Sequence, residues 1–148
     1  MEAVLTAALR LLSTFLGPLD IASLYRTAPV SPIPQPDYLN TAAVGRTLLS
    51  PDEILALGKA AEHAAGRRRT ARDAPRPLDI DLLLYGTWVS DAPELRLPHP
   101  GLCQRSFVLA PLAEIAPHWP IPPAGPTVAE ALAACMPGTG IRRIGWGR

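Results

Sequence analysis

The sequence predicts an α/β or α+β domain built on a mainly antiparallel sheet. Segments with the 3.6-residue apolar spacing of a helix alternate along the chain with shorter segments that read as strands. Two Ser/Thr-x-x-Glu patterns open helices after turns, and residues 78–82 alternate apolar and acidic side chains, as a half-buried strand does, at the head of an apolar run to Tyr85. At 148 residues the chain fits one domain with a core of its own. No internal repeat or linker divides it, so residues 1–148 are read as a single domain.

The elements follow in order. Val4, Leu5, Ala8, Leu9, Leu11, Leu12 and Phe15 fall at helical spacing and stop at Gly17-Pro18, which predicts a helix over residues 2–15. Residues 19–27 read as a strand through Ile21, Leu24 and Tyr25, and residues 38–49 as a second strand whose alanines weaken the propensity. Between them lies a proline-rich loop. Ser50-Pro51-Asp52-Glu53 combines a cap, a proline suited to the first helical position and a capping-box glutamate. That helix is predicted to run to about Ala65, with Gly66 as its stop. Residues 67–76 form a basic loop, residues 78–85 the clearest strand, and Trp88-Val89 a short strand after the turn at Gly86-Thr87. A helix follows over residues 105–115, limited by Pro111, and Thr127 to Glu130 caps a last helix to about Cys135.

Composition narrows the class. A net charge of +1 gives no overall attraction to nucleic acid or an anionic membrane. Cys103 and Cys135 lie far apart in no metal-like spacing and read as reduced thiols. The apolar N-terminus carries Glu2 where a signal peptide has basic residues, and Arg10 interrupts it. The expectation is a cytoplasmic protein, monomeric, with no membrane or nucleic-acid partner. Half of the eighteen prolines concentrate in residues 29–36 and 117–126, which read as stiff loops.

The sharpest chemical signal is Pro77-Leu78-Asp79-Ile80-Asp81-Leu82-Leu83-Leu84-Tyr85. On a strand Asp79 and Asp81 share one face, with Leu78, Ile80 and Leu82 opposite. Adjacent carboxylates repel, and a divalent cation resolves that conflict. Mg²⁺ takes carboxylate oxygens together with substrate phosphates. A pair of ions about 3.5–4 Å apart clamps both oxygens of a phosphoryl transfer. A solvated sheet face bearing two ordinary aspartates fits the same spacing. Upstream stand Arg67, Arg69, Arg72 and Arg76, in a chain whose only lysine is Lys59. Guanidinium groups grip phosphate oxygens bidentately, whereas a solvated loop is the plain alternative. The chain has no G-x-x-x-x-G-K-[ST] loop. A bound nucleotide would therefore be held by arginines and metal. Leu97-Pro98-His99-Pro100 fixes a histidine between prolines, with Arg105 and Phe107 downstream; a surface turn is the alternative. Tyr38 and Asn40 share a strand face, an aromatic plane beside a two-sided amide, which suits a planar heteroaromatic ring but also fits a plain strand edge. His63 and His118 receive no role.

Taken together, these segments resemble the hydroxymethyl-dihydropterin pyrophosphokinase family. The resemblance rests on Ser23-Leu24-Tyr25-Arg26-Thr27, Gln35-Pro36-Asp37-Tyr38-Leu39-Asn40, Gly66-Arg67-Arg68-Arg69, the Pro75–Leu83 run, Leu97-Pro98-His99-Pro100, and Arg105 with the following Phe107–Leu112. It implies an α+β, ferredoxin-like sandwich with a mainly antiparallel sheet and flanking helices. It also implies transfer of pyrophosphate from ATP to 6-hydroxymethyl-7,8-dihydropterin in folate biosynthesis, leaving AMP. By the family pattern Asp79 and Asp81 hold two Mg²⁺ ions. Arg67 and Arg76 grip ATP phosphates and stabilise the transferring charge, with Arg69 and Arg105 assisting. His99 contacts the phosphates and Glu62 faces ATP. The pterin sits between Tyr38 and Phe107, with Asn40 reading its edge and Thr27 and Val30 contributing.

The sequence departs from that pattern in places. The family usually opens with a strand and a Gly-Ser-Asn turn, whereas this sequence begins at the helix after it; the reading places the start upstream. A tryptophan common in the basic loop of some members is absent, with Asp73-Ala74 in its region. Two alternatives stand beside the enzyme: an inactive truncated relative, and an RNA-binding module. The latter calls for exposed sheet aromatics and no paired aspartates, against 5% aromatics here.

Overall fold

The computed structural model describes residues 1–28, 37–66, 78–135 and 140–147. Its first helix, α1 (Glu2–Leu16), follows the apolar spacing and ends at Gly17, whose φ of 84° lies in the left-handed region that favours glycine. Among the described residues, four α-helices and small antiparallel sheets make up the α+β architecture. β1 (Leu19–Ile21) pairs with β4 (Ala43–Gly45), and β2 (Leu24–Thr27) lies between β3 (Tyr38–Asn40) and β7 (Arg142–Ile144). β5 (Ser90–Ala92) and β6 (Leu95–Leu97) form a separate hairpin.

The two long strands predicted over residues 19–27 and 38–49 are each broken, and at matching points. Ile21 opposes Ala43 and Tyr25 opposes Asn40. Ala22, Ser23 and Leu24 therefore face only Thr41 and Ala42, so the first strand carries one extra residue, as in a β-bulge. Local hydrogen bonds hold the irregularity. Ala22 N–H donates to the Ala42 carbonyl (2.9 Å), and the Thr41 hydroxyl reaches the carbonyls of Ala22 (3.1 Å) and Ser23 (3.2 Å).

Helix α2 (Pro51–Ala64) starts in the predicted capping box: Glu53 N–H donates to Ser50 Oγ, and Ser50 N–H donates to Glu53 Oε1. Gly66 follows the helix at φ 95°. A 3₁₀ turn (Leu102–Gln104) leads into α3 (Ser106–Ile115), which runs through the buried Pro111 rather than ending there. The second capping box, Thr127 with Glu130, opens α4 (Val128–Ala134).

Residues 78–85 correct the prediction: they form no ladder. Their burial still alternates, with Leu78 buried, Ile80 half-buried, and Asp79 and Asp81 exposed. The pattern fixed which side faces inward, but a strand also needs a neighbouring backbone. Here backbone groups are taken otherwise, Ile80 N–H by the Glu62 carboxylate (2.8 Å) and the Leu83 carbonyl by His99 N–H (2.9 Å). Trp88 and Val89 likewise lie just ahead of β5 and outside it. The pairing strands β5, β6 and β7 were not anticipated in these positions.

The core joins Ala22 and Ala42 at the bulge to Leu84, Leu102, Leu109 and Leu112, and to Ile121, Val128 and Ala131. Helix α3 thus packs on α4 and against β2, β3 and β4, while α1 packs on α2. No helix among the described residues is long and apolar enough to cross a membrane.

Candidate active site

The site is assembled where residues 78–85 pass the start of the Pro98-His99-Pro100 turn. Asp79 and Asp81 are both exposed, as the alternation predicts. His99 approaches the second of them: its Nε2 stands 3.9 Å from Asp81 Oδ1. That is too long for a direct hydrogen bond, yet short enough for the two groups to share a ligand or a water. The orientation of the ring is set from behind. Gly101 N–H donates to His99 Nδ1 (3.1 Å), so in the neutral imidazole the proton sits on Nε2, on the Asp81 side. The His99 backbone is held as well, through its bond to Leu83 and through Leu102 N–H on its carbonyl (3.1 Å).

Arg105 closes the same turn. A methyl group at Gly101 would stand 2.8 Å from Arg105 Nε and 2.9 Å from its Cζ, so the guanidinium lies directly over the glycine. Asp81, His99 and Arg105 are therefore linked through one short turn. Among the described residues no group of three or more His, Cys, Asp and Glu side chains gathers. The donors at hand are two exposed carboxylates, hard oxygen ligands of the kind Mg²⁺ takes when substrate phosphates complete its shell. In that chemical sense the residues fit the ion.

Tyr38 and Asn40 occupy one face of β3, as predicted. Asn40 Nδ2 donates to Thr27 Oγ1 on β2 (2.9 Å), which leaves its carbonyl oxygen as the other face of the amide. Thr27 is buried, while Tyr38 and Phe107 are 45% and 38% exposed, large aromatics with area still to cover. Phe107 rides on the first turn of α3, which packs against β3. Glu62 is 6% exposed on α2, its Oε2 accepting from Ile80 N–H. Arg67, Arg69, Arg76 and Val30 lie outside the described residues.

Two glycines escaped the sequence reading. Gly101 has no periodic or motif signal. Gly58, inside α2, had one: a glycine in a helix interior costs about 1 kcal/mol relative to alanine and so points to close packing.

Asp81, the oriented His99 imidazole and the Arg105 guanidinium thus gather around one turn of an α+β fold. The profile of the family described as 7,8-dihydro-6-hydroxymethylpterin-pyrophosphokinase matches residues 1–117. A 2-amino-4-hydroxy-6-hydroxymethyldihydropteridine pyrophosphokinase of Pseudomonas aeruginosa is 40% identical over 144 residues, covering 97% of this chain and 86% of the relative. One of Synechocystis sp. is 43% identical over 111 residues, 75% of this chain and 56% of that protein. The mitochondrial folate synthesis bifunctional protein of Arabidopsis thaliana is 47% identical over 92 residues, 62% of this chain and 17% of the plant protein. The chain belongs to the 7,8-dihydro-6-hydroxymethylpterin-pyrophosphokinase family, the pyrophosphokinases of folate biosynthesis.

Proposed function

We propose that this chain transfers the β,γ-pyrophosphoryl group of ATP to the hydroxymethyl oxygen of 6-hydroxymethyl-7,8-dihydropterin. The observation that carries the reading is the family match across residues 1–117, within which Asp79, Asp81 and His99 fall. The pterin oxygen attacks the β-phosphorus and loses its proton, while the bond from that phosphorus to the oxygen bridging to the α-phosphate breaks. AMP departs with the electron pair. Little covalent work falls to the protein, so positioning and neutralisation of charge decide the rate.

Each residue has a part in this reading. Asp79 and Asp81 hold two Mg²⁺ ions, which when bound draw charge from the transferring phosphates. Arg67 and Arg76 stabilise charge on the phosphates with help from Arg69 and Arg105. The Nε2–H of His99 donates to a phosphate oxygen, an assignment supported by the Gly101 bond to Nδ1. The pterin stacks between Tyr38 and Phe107, supported by the exposure of both rings. Asn40 reads the edge of the heterocycle, with Thr27 holding the amide in place. Thr27 and Val30 complete that flank, and Glu62 stands on the ATP side.

The reading also takes the fold as ferredoxin-like and residues 1–148 as a single domain, monomeric and cytoplasmic. The β2–β3 pairing with α3 across it, and a core spanning Ala22 to Ala131, support the first two points. The test is nucleotide analysis after incubating the chain with ATP, Mg²⁺ and the pterin alcohol. AMP in equal amount to pterin diphosphate is expected. ADP with a pterin monophosphate would overturn the pyrophosphoryl assignment.

A further inference from the structure

Residue 80 stands between the two aspartates and lacks the ladder that usually fixes a strand. Its place is set instead by one face of α2. Glu62, buried to 6% exposure, accepts the Ile80 amide hydrogen at 2.8 Å. One turn earlier on the same face is Gly58, itself buried. A methyl group there would lie 3.3 Å from Ile80 Cγ2. The helix thus holds one residue twice, by its main chain and by its side chain. With Ile80 turned inward, its two neighbours are turned outward, and both are exposed.

We propose that α2 is the positioning element of the carboxylate pair. Glu62 and Gly58 seat Ile80, and the seated residue fixes the spacing and direction of Asp79 and Asp81 for a divalent cation. The proposal rests on the metal role given to these aspartates above. A buried carboxylate accepting an amide hydrogen is a strong, directional anchor, and it can do here what a neighbouring strand does elsewhere. The glycine contributes by having no side chain: a methyl group at 3.3 Å would press on Ile80, which would have to give by a few tenths of an ångström. Glu62 acts through the backbone of Ile80, so it is a positioning residue in this account, whatever contact it also makes with ATP.

Amide hydrogen exchange by NMR reads the anchor directly, and Mn²⁺ binding in the presence of a non-hydrolysable ATP analogue reads its consequence. In Glu62→Ala, exchange at Ile80 should quicken by about tenfold or more relative to amides within α2, since the acceptor of its hydrogen bond is lost. Mn²⁺ affinity should fall in parallel. Glu62→Gln keeps an acceptor oxygen and should retain most of the Ile80 protection. Gly58→Ala should weaken Mn²⁺ binding while helical circular dichroism holds, and adding Ile80→Val should restore part of it. Unchanged Ile80 exchange in Glu62→Ala, or unaltered Mn²⁺ affinity in both Glu62→Ala and Gly58→Ala, would overturn the proposal. A folded Asp81→Ala that binds Mn²⁺ as tightly as the parent chain would instead overturn the metal assignment, independently of what Ile80 shows.

Discussion

Glu114 shows how much a single side chain does outside the site. Its Oε2 accepts from the backbone N–H (2.8 Å) and hydroxyl (3.1 Å) of Ser23, and its Oε1 accepts from the Tyr25 hydroxyl (2.9 Å). Arg143 Nε lies 3.4 Å away. Helix α3 is thereby fastened to the bulge, to β2 and to β7. Burial pushes the Glu114 carboxyl upward, but the Ser23 and Tyr25 hydrogen bonds and the Arg143 charge outweigh it and hold the group below its ordinary 4.5. Tyr25 moves the other way: burial first, then the bond to Glu114, raises it above its ordinary 10.0. The signs follow from linkage. A carboxyl depressed in the folded state gives stability present above its unfolded value and lost as pH falls through the folded one. A raised phenol gives stability present below its unfolded value and lost as pH climbs through the folded one. Urea midpoints should therefore fall on the acid side below about pH 4.5 and on the alkaline side above about pH 10. Glu114→Gln should flatten the acid limb; an unchanged acid limb would remove Glu114 from the account. None of this was legible in the sequence, because Ser23, Glu114 and Arg143 are brought together only by the tertiary fold.

Among the elements, those defined by local chemistry were legible and those defined by distant partners were not. Both capping boxes read correctly, Ser50 with Glu53 and Thr127 with Glu130, since each is complete within four residues. Ser50→Ala should destabilise the chain by about 1 kcal/mol, measured by urea denaturation. A loss within error would mean that α2 is held by packing alone. Tyr38 and Asn40 were legible as a shared face because alternation is also local. The failures lie with pairing. Residues 78–82 carry the alternation of a strand but form no ladder, and the Ile80 N–H goes to the Glu62 carboxylate instead. The bulge at Ala22–Leu24 has no mark in composition, and β7 has nothing in its Arg142-Arg143-Ile144 to distinguish it from a loop. In the candidate site, the carboxylates, His99 and the aromatics stand out in sequence motifs. The grip of α2 on Ile80 and the seat of Arg105 on Gly101 could not.

At the scale of the molecule, the core and the site are built from the same segment. Leu84 enters the central cluster, three residues beyond Asp81, while Leu78 is buried just ahead of Asp79. Asp79 and Asp81 are thus held between two anchored leucines, Leu78 and Leu84. Helix α3 works the same way, burying Leu109 and Leu112 while its first turn presents Phe107. Asp81 keeps 55% of its side-chain surface exposed, so its replacement should leave the fold intact. The most direct test of pyrophosphoryl transfer at this carboxylate pair is the rate of AMP formation by Asp81→Ala beside the parent chain, at saturating ATP, Mg²⁺ and pterin, with circular dichroism as the folding control. The account predicts a folded protein whose rate falls by about 10²-fold or more. A folded Asp81→Ala protein producing AMP near the parent rate would contradict it.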